Sequence, residues 1–79
     1  MEARLIEVLG PGCAKCELLA KYADQAALAL GIEYHIVKVK DPATWARYGV
    51  TATPALVVDG RLKLQGRVES AEKLKALLG

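Results

Sequence analysis

Leu5-Ile6-Glu7-Val8-Leu9-Gly10-Pro11-Gly12-Cys13-Ala14-Lys15-Cys16 is the stretch on which the reading of this 79-residue chain turns. From Arg4 to Leu9 the sequence is nearly continuous in apolar residues, as a central strand covered on both faces would be. Gly10-Pro11-Gly12 breaks the strand. A helix follows from Cys13 to Leu30, so the two cysteines stand at i and i+3 on its opening turn. Sulfurs so placed are close enough to bridge. An opening turn also presents unpaired backbone N–H groups and the positive end of the helix dipole, and both favour a thiolate. The thiolate is the reactive form of cysteine. The stretch therefore points to dithiol chemistry at a strand-to-helix junction.

The helix gives the two thiols different surroundings. Its apolar stripe runs through Cys16, Leu19, Ala20, Ala23, Ala26, Ala27 and Leu30, at amphipathic spacing. Glu17, Lys21, Asp24 and Gln25 populate the other side. Cys16 thus faces inward, while Cys13 lies at the exposed start. Gly31 suits a C-terminal cap.

Ile32 to Lys40 reads as a second strand, with Lys38 and Lys40 suited to a sheet edge. Strand, helix and strand in that order predict a right-handed unit with parallel strands. Asp41 and Pro42 supply the N-cap and first residue of a short helix that ends at Tyr48, before Gly49. Thr51-Ala52-Thr53-Pro54 is a loop into an apolar strand, Ala55 to Asp59. Asp59-Gly60 signals a tight hairpin. The returning strand is Arg61 to Gln65, with Leu62 and Leu64 expected on one face. Ser70 caps a last helix whose Ala71, Leu74, Leu77 and Leu78 point inward. The order is β-α-β-α-β-β-α, a single α/β domain expected to span residues 1–79.

Composition narrows the function classes. The chain is 53% hydrophobic, enough for a packed core and too much for a disordered segment. Its net charge of +2 is dispersed, with no basic stripe interleaved with aromatics, so nucleic acid is not an expected partner. The apolar run after Met1-Glu2-Ala3-Arg4 is too short for the core of a signal peptide, and no segment reaches the length of a membrane span. The expected location is cytoplasmic, where thiols are kept reduced. Two closely spaced cysteines there suggest catalysis or metal binding more than a structural staple.

Gly10-Pro11-Gly12-Cys13-Ala14-Lys15-Cys16, followed by Thr53-Pro54-Ala55-Leu56-Val57-Val58-Asp59-Gly60, resembles the small thioredoxin-like, glutaredoxin-sized redox-active disulfide proteins. The resemblance covers essentially the whole chain. It implies a thioredoxin-like fold with a four-stranded mixed sheet flanked by three helices. It implies a thiol–disulfide oxidoreductase in which Cys13 attacks and Cys16 resolves, exchanging electrons with protein disulfides and served by a separate reductase. It implies a cis bond between Thr53 and Pro54 beside the sulfurs, with the Thr53 backbone free to pair with an extended partner. No cofactor beyond the Cys13–Cys16 disulfide is expected, and the protein is expected to be a monomer. Gly12 stands where ordinary thioredoxins carry a tryptophan, and Ala14-Lys15 replaces their Gly-Pro.

Two further residues are candidates for supporting roles. The Lys15 ammonium could favour the Cys13 thiolate, or could be a solvated lysine of little consequence. Glu7 lies in an otherwise apolar strand, six residues before Cys13, where ordinary thioredoxins keep a buried acid that assists proton transfer to the second thiol. His35 has no metal-ligand partner at useful spacing. Trp45 and Tyr48, at i and i+3, suit packing. Arg61, Lys63 and Arg67 read as a solvated hairpin surface. The alternative reading is a soft-metal carrier or sensor, since two thiolates can hold Cu(I). Small copper-transfer domains, however, run β-α-β-β-α-β.

Overall fold

The computed structural model describes residues 3–78, so residues 1, 2 and 79 of the expected domain lie outside the described residues. The elements are β1 (Arg4–Leu9), α1 (Ala14–Leu30), β2 (Tyr34–Val39), α2 (Pro42–Arg47), β3 (Ala55–Val58), β4 (Arg61–Gln65) and α3 (Ala71–Leu78). They form one four-stranded sheet in the order β2-β1-β3-β4. β1 pairs parallel with β2 and antiparallel with β3, and β3 pairs antiparallel with β4. The sheet is mixed and three helices flank it, as the resemblance implies.

The apolar run of β1 is explained by its central place. Ile6 and Val8 face α1 and α3, in a core with Leu19, Ala23, Leu56, Val58, Leu64, Leu74 and Leu78. Leu9 faces the other way, into a smaller cluster with Ala55 and Val57 that Trp45 and Tyr48 of the α2 segment cover. Small alanines on the inner side of α1 (Ala20, Ala23, Ala26 and Ala27) let that helix lie close on the sheet. β2 is an edge strand, as its lysines suggest, and Lys38 pairs with Glu17 on α1 at 2.5 Å.

The turn chemistry follows the sequence closely. Asp41 accepts from the Ala43 N–H at 3.1 Å, and Ser70 Oγ accepts from the Lys73 N–H at 3.4 Å. Gly31 ends α1 in the left-handed region, φ 69°. Asp59 and Gly60 both have positive φ, 51° and 82°, as a tight hairpin requires.

Several boundaries and one face differ from expectation. Cys13 is the N-cap of α1 and not its first residue. β2 begins at Tyr34, after Ile32 and Glu33; Tyr48 is the C-cap of α2; Asp59 belongs to the hairpin turn. Leu62 and Leu64 do not share a face. Val57 pairs with Leu62 and Leu56 with Leu64, so Lys63 is an extra residue on β4. This bulge breaks the alternation, sending Leu64 to the α1 side and Leu62 to the α2 side.

Candidate active site

The site forms where β1 runs out beneath the start of α1. Cys13 is extended (φ −74°, ψ 172°) and its carbonyl accepts from the Glu17 N–H at 3.0 Å, which opens the helix. Cys13 is exposed and Cys16 is only 5% exposed, as the apolar stripe requires. The two sulfurs lie 2.9 Å apart, in hydrogen-bond contact.

Their electrostatics differ accordingly. The Cys13 thiol is held below its ordinary value, chiefly by the Cys16 thiol beside it and then by the backbone N–H of Cys16. Cys16 is pushed up, first by burial and then by its bond to Cys13. One thiol is exposed and acidic, and its neighbour is covered and reluctant to ionise. That asymmetry is what sequential attack and resolution need.

The Thr53–Pro54 peptide bond is cis. The structure places Pro54 beside the thiol pair, because both flank Gly10. A Cβ built on Gly10 would lie 2.2 Å from Cys16 Sγ and 3.9 Å from Pro54 Cα. Pro54 is buried and Thr53 half-buried. Three bonds hold the loop that delivers them. The Thr51 N–H and hydroxyl donate to Gln65 Oε1 at 2.9 and 3.3 Å, and the Gly66 N–H donates to the Pro54 carbonyl at 2.8 Å.

Lys15 is exposed on the first turn. Among the groups that lower the Cys13 pKa it contributes through its backbone N–H. A different lysine lies across the loop. Gly12 has φ +90°, and a Cβ there would meet Lys40 Cε at 3.2 Å and Nζ at 3.3 Å. Glycine at 12 therefore serves a left-handed turn and leaves room for the Lys40 side chain.

Glu7 is buried, 9% exposed, between Val37 of β2 and Val57 of β3. It points to the α2 side of the sheet, where the Tyr48 hydroxyl donates to its Oε1 at 2.8 Å. No cation pairs with it among the described residues. The hydrogen bond raises the Tyr48 pKa above its ordinary 10, so the phenol remains a donor. Trp45 Nε1 donates to the Val39 carbonyl at 2.8 Å, the same oxygen that accepts from the Gly10 N–H at 3.0 Å. Sequence reasoning missed the Tyr48–Glu7 bond and the roles of Lys40 and Gln65. The only signal in the sequence was the buried acid, which must find a donor somewhere.

Among the described residues, no group of three or more His, Cys, Asp and Glu side chains is gathered where it could hold a metal ion. The observed β-α-β-α-β-β-α order also differs from that of the small copper-transfer domains. No helix among the described residues is long and apolar enough to cross a membrane.

With this geometry in view, the chain's likenesses to known proteins agree. The pattern of the thioredoxin domain family matches residues 4–79. A thioredoxin from Methanothermobacter thermautotrophicus is 44% identical over 73 residues, covering 92% of this chain and 95% of that protein. A thioredoxin from Methanocaldococcus jannaschii is 34% identical over 71 residues, covering 90% and 81%. Among solved structures, thioredoxin-2, a component of the malaria parasite protein secretion machinery, superposes with a TM-score of 0.69. It covers 96% of this chain and 81% of its own at 16% identity, so that likeness speaks to the fold alone.

Proposed function

Because the chain belongs to the thioredoxin family, we propose that this thiol–disulfide oxidoreductase exchanges electrons with protein disulfides through a mixed disulfide on Cys13. One observation carries the reading. An exposed thiol of lowered pKa touches a buried thiol of raised pKa at the start of a helix.

In the reducing direction the Cys13 thiolate attacks one sulfur of a substrate disulfide. The Cys13–substrate bond forms as the substrate S–S bond breaks, and the departing thiolate takes a proton from water. Cys16 gives up its proton and attacks the Cys13 sulfur. The Cys13–Cys16 bond forms, and the second substrate sulfur leaves as a thiolate. The substrate has gained two electrons and the protein pair has lost two. A separate reductase restores the dithiol, and the reverse sequence oxidises a partner's thiols. Direction follows the potential difference, about 1.4 kcal/mol for every ~30 mV.

The supporting residues take roles around these steps. Glu7, six residues before Cys13 on the central strand, accepts the Cys16 proton during resolution by way of solvent, since its carboxylate lies on the α2 side of the sheet. The backbone of Thr53 beside Pro54 pairs with an extended segment of the substrate. The protein works as a monomer in the cytoplasm, with no resident cofactor and no nucleic-acid partner.

The test is trapping. Cys16→Ser should accumulate mixed disulfides on Cys13 when mixed with insulin or with lysate proteins, and dithiothreitol should release them. The wild-type chain should reduce insulin disulfides with dithiothreitol present. If the wild type gives no turnover and Cys16→Ser no adduct, the reading is wrong.

A further inference from the structure

Gly10 is buried at the end of β1, and its conformation does not explain why it is glycine. The glycines with positive φ among the described residues are 12, 31, 49, 60 and 66, and Gly10 is not one of them. Its backbone would accept an alanine. The space around it would not. A Cβ at this position would lie 2.2 Å from Cys16 Sγ and 3.4 Å from Cys16 Cβ. The sulfur occupies the volume that any side chain would need.

Neither partner is free to step aside. The Gly10 N–H is tied to the Val39 carbonyl at 3.0 Å, and Pro54 stands on the same side of the glycine as the sulfur. Cys16 lies on the first turn of α1, so its Cα is fixed by the helix. Its sulfur can leave only by turning about χ1, and turning takes it away from Cys13.

We propose that Gly10 is a positioning residue for the redox pair: its bare Cα forms the seat that holds Cys16 Sγ against Cys13 Sγ. It acts through Cys16 and touches no substrate atom. The proposal rests on the reading of Cys16 as the resolving thiol, and it accounts for how that thiol is aimed. Reach matters because displacing a reacting group by about 1 Å can cost roughly a hundredfold in rate.

The experiment is Gly10→Ala in the full chain, alone and combined with Cys16→Ala. In the single variant, assayed at a pH where Cys13 is ionised in both proteins, attack of Cys13 on a model disulfide should change less than threefold, while closure of the mixed disulfide slows at least tenfold, as a misaimed group would. The Cys13 pKa should rise, since its largest depressing contact is lost. The thermal midpoint of the reduced protein should fall for Gly10→Ala with Cys16 present, and should not fall when Cys16 is alanine. Equal thermal losses in both backgrounds, or attack and closure slowed together, would overturn the proposal. So would an unchanged closure rate. Should Gly10→Ala not fold, the double variant still decides: a folded double variant identifies the sulfur as the obstacle, and an unfolded one refutes it. Should the wild type show no exchange activity, the proposed function fails while the thermal comparison still judges the seat.

Discussion

The Tyr48 hydroxyl donates to Glu7 Oε1 across 2.8 Å, joining the end of α2 to the middle of the sheet. Aliphatic Val37 and Val57 lie to either side of that carboxylate on the neighbouring strands. A buried acid so placed is costly to stability unless its polar atoms are satisfied.

Glu7→Leu should therefore raise the thermal midpoint while slowing resolution of the mixed disulfide by about a hundredfold, the low end for loss of a positioned acid or base. For a domain of this size each kcal/mol gained corresponds to about 4–8 °C. Tyr48→Phe should keep the fold and lower the thermal midpoint, because the buried carboxylate loses its donor. Stopped-flow fluorescence across pH, with calorimetry on the same variants, measures both.

The two thiols should separate cleanly in alkylation. Iodoacetamide should modify Cys13 first, with a pH midpoint below the ordinary 9.0, and Cys16 only when the protein is unfolded. The linkage signs oppose each other. Lowered Cys13 favours the fold above its unfolded value and loses that contribution as pH falls through its folded value. Raised Cys16 favours the fold below 9.0 and loses that contribution as pH rises through its folded value. Mass-resolved alkylation rates against pH give the order and the midpoint.

Lys15→Ala should leave the Cys13 pKa unchanged within a few tenths of a unit, since exposed charges act weakly and the backbone N–H stays in place. Thiolate absorbance at 240 nm against pH reads it. A rise of a full unit would give the ammonium the tuning role instead.

Asp59 offers a separate pH test, far from the thiols. Its carboxyl is held below the ordinary 3.8, first by the Leu5 N–H at 2.9 Å and then by Arg4. Its contribution is present above 3.8 and vanishes as pH falls through the lower folded value. Asp59→Asn keeps a residue that tolerates positive φ at the hairpin. It should be less stable than the wild type near neutrality and match it in strong acid, as urea midpoints at several pH values will show.

Most of this architecture is written locally. Caps at Asp41 and Ser70, the stop at Gly31 and the Asp59-Gly60 hairpin each depend on a few adjacent residues. The placement of Cys16 inward and Cys13 outward follows from helical spacing alone. What escaped was set by contacts between different elements. Tyr48 meets Glu7 across 41 positions, and Gly10 is constrained by a sulfur on the next element. The Lys63 bulge depends on how β4 aligns with β3, so the alternation of Leu62, Lys63 and Leu64 misled.

The Val39 carbonyl holds both the Gly10 amide and the Trp45 indole. One oxygen thereby serves as a common mooring for the floor of the sulfur pocket and the lid on the far face. Lengthening the chain between residues 39 and 45 would slacken both at once. Drift in loop length is better absorbed at the hairpin tip, 59–60, where nothing in the thiol pocket hangs on it.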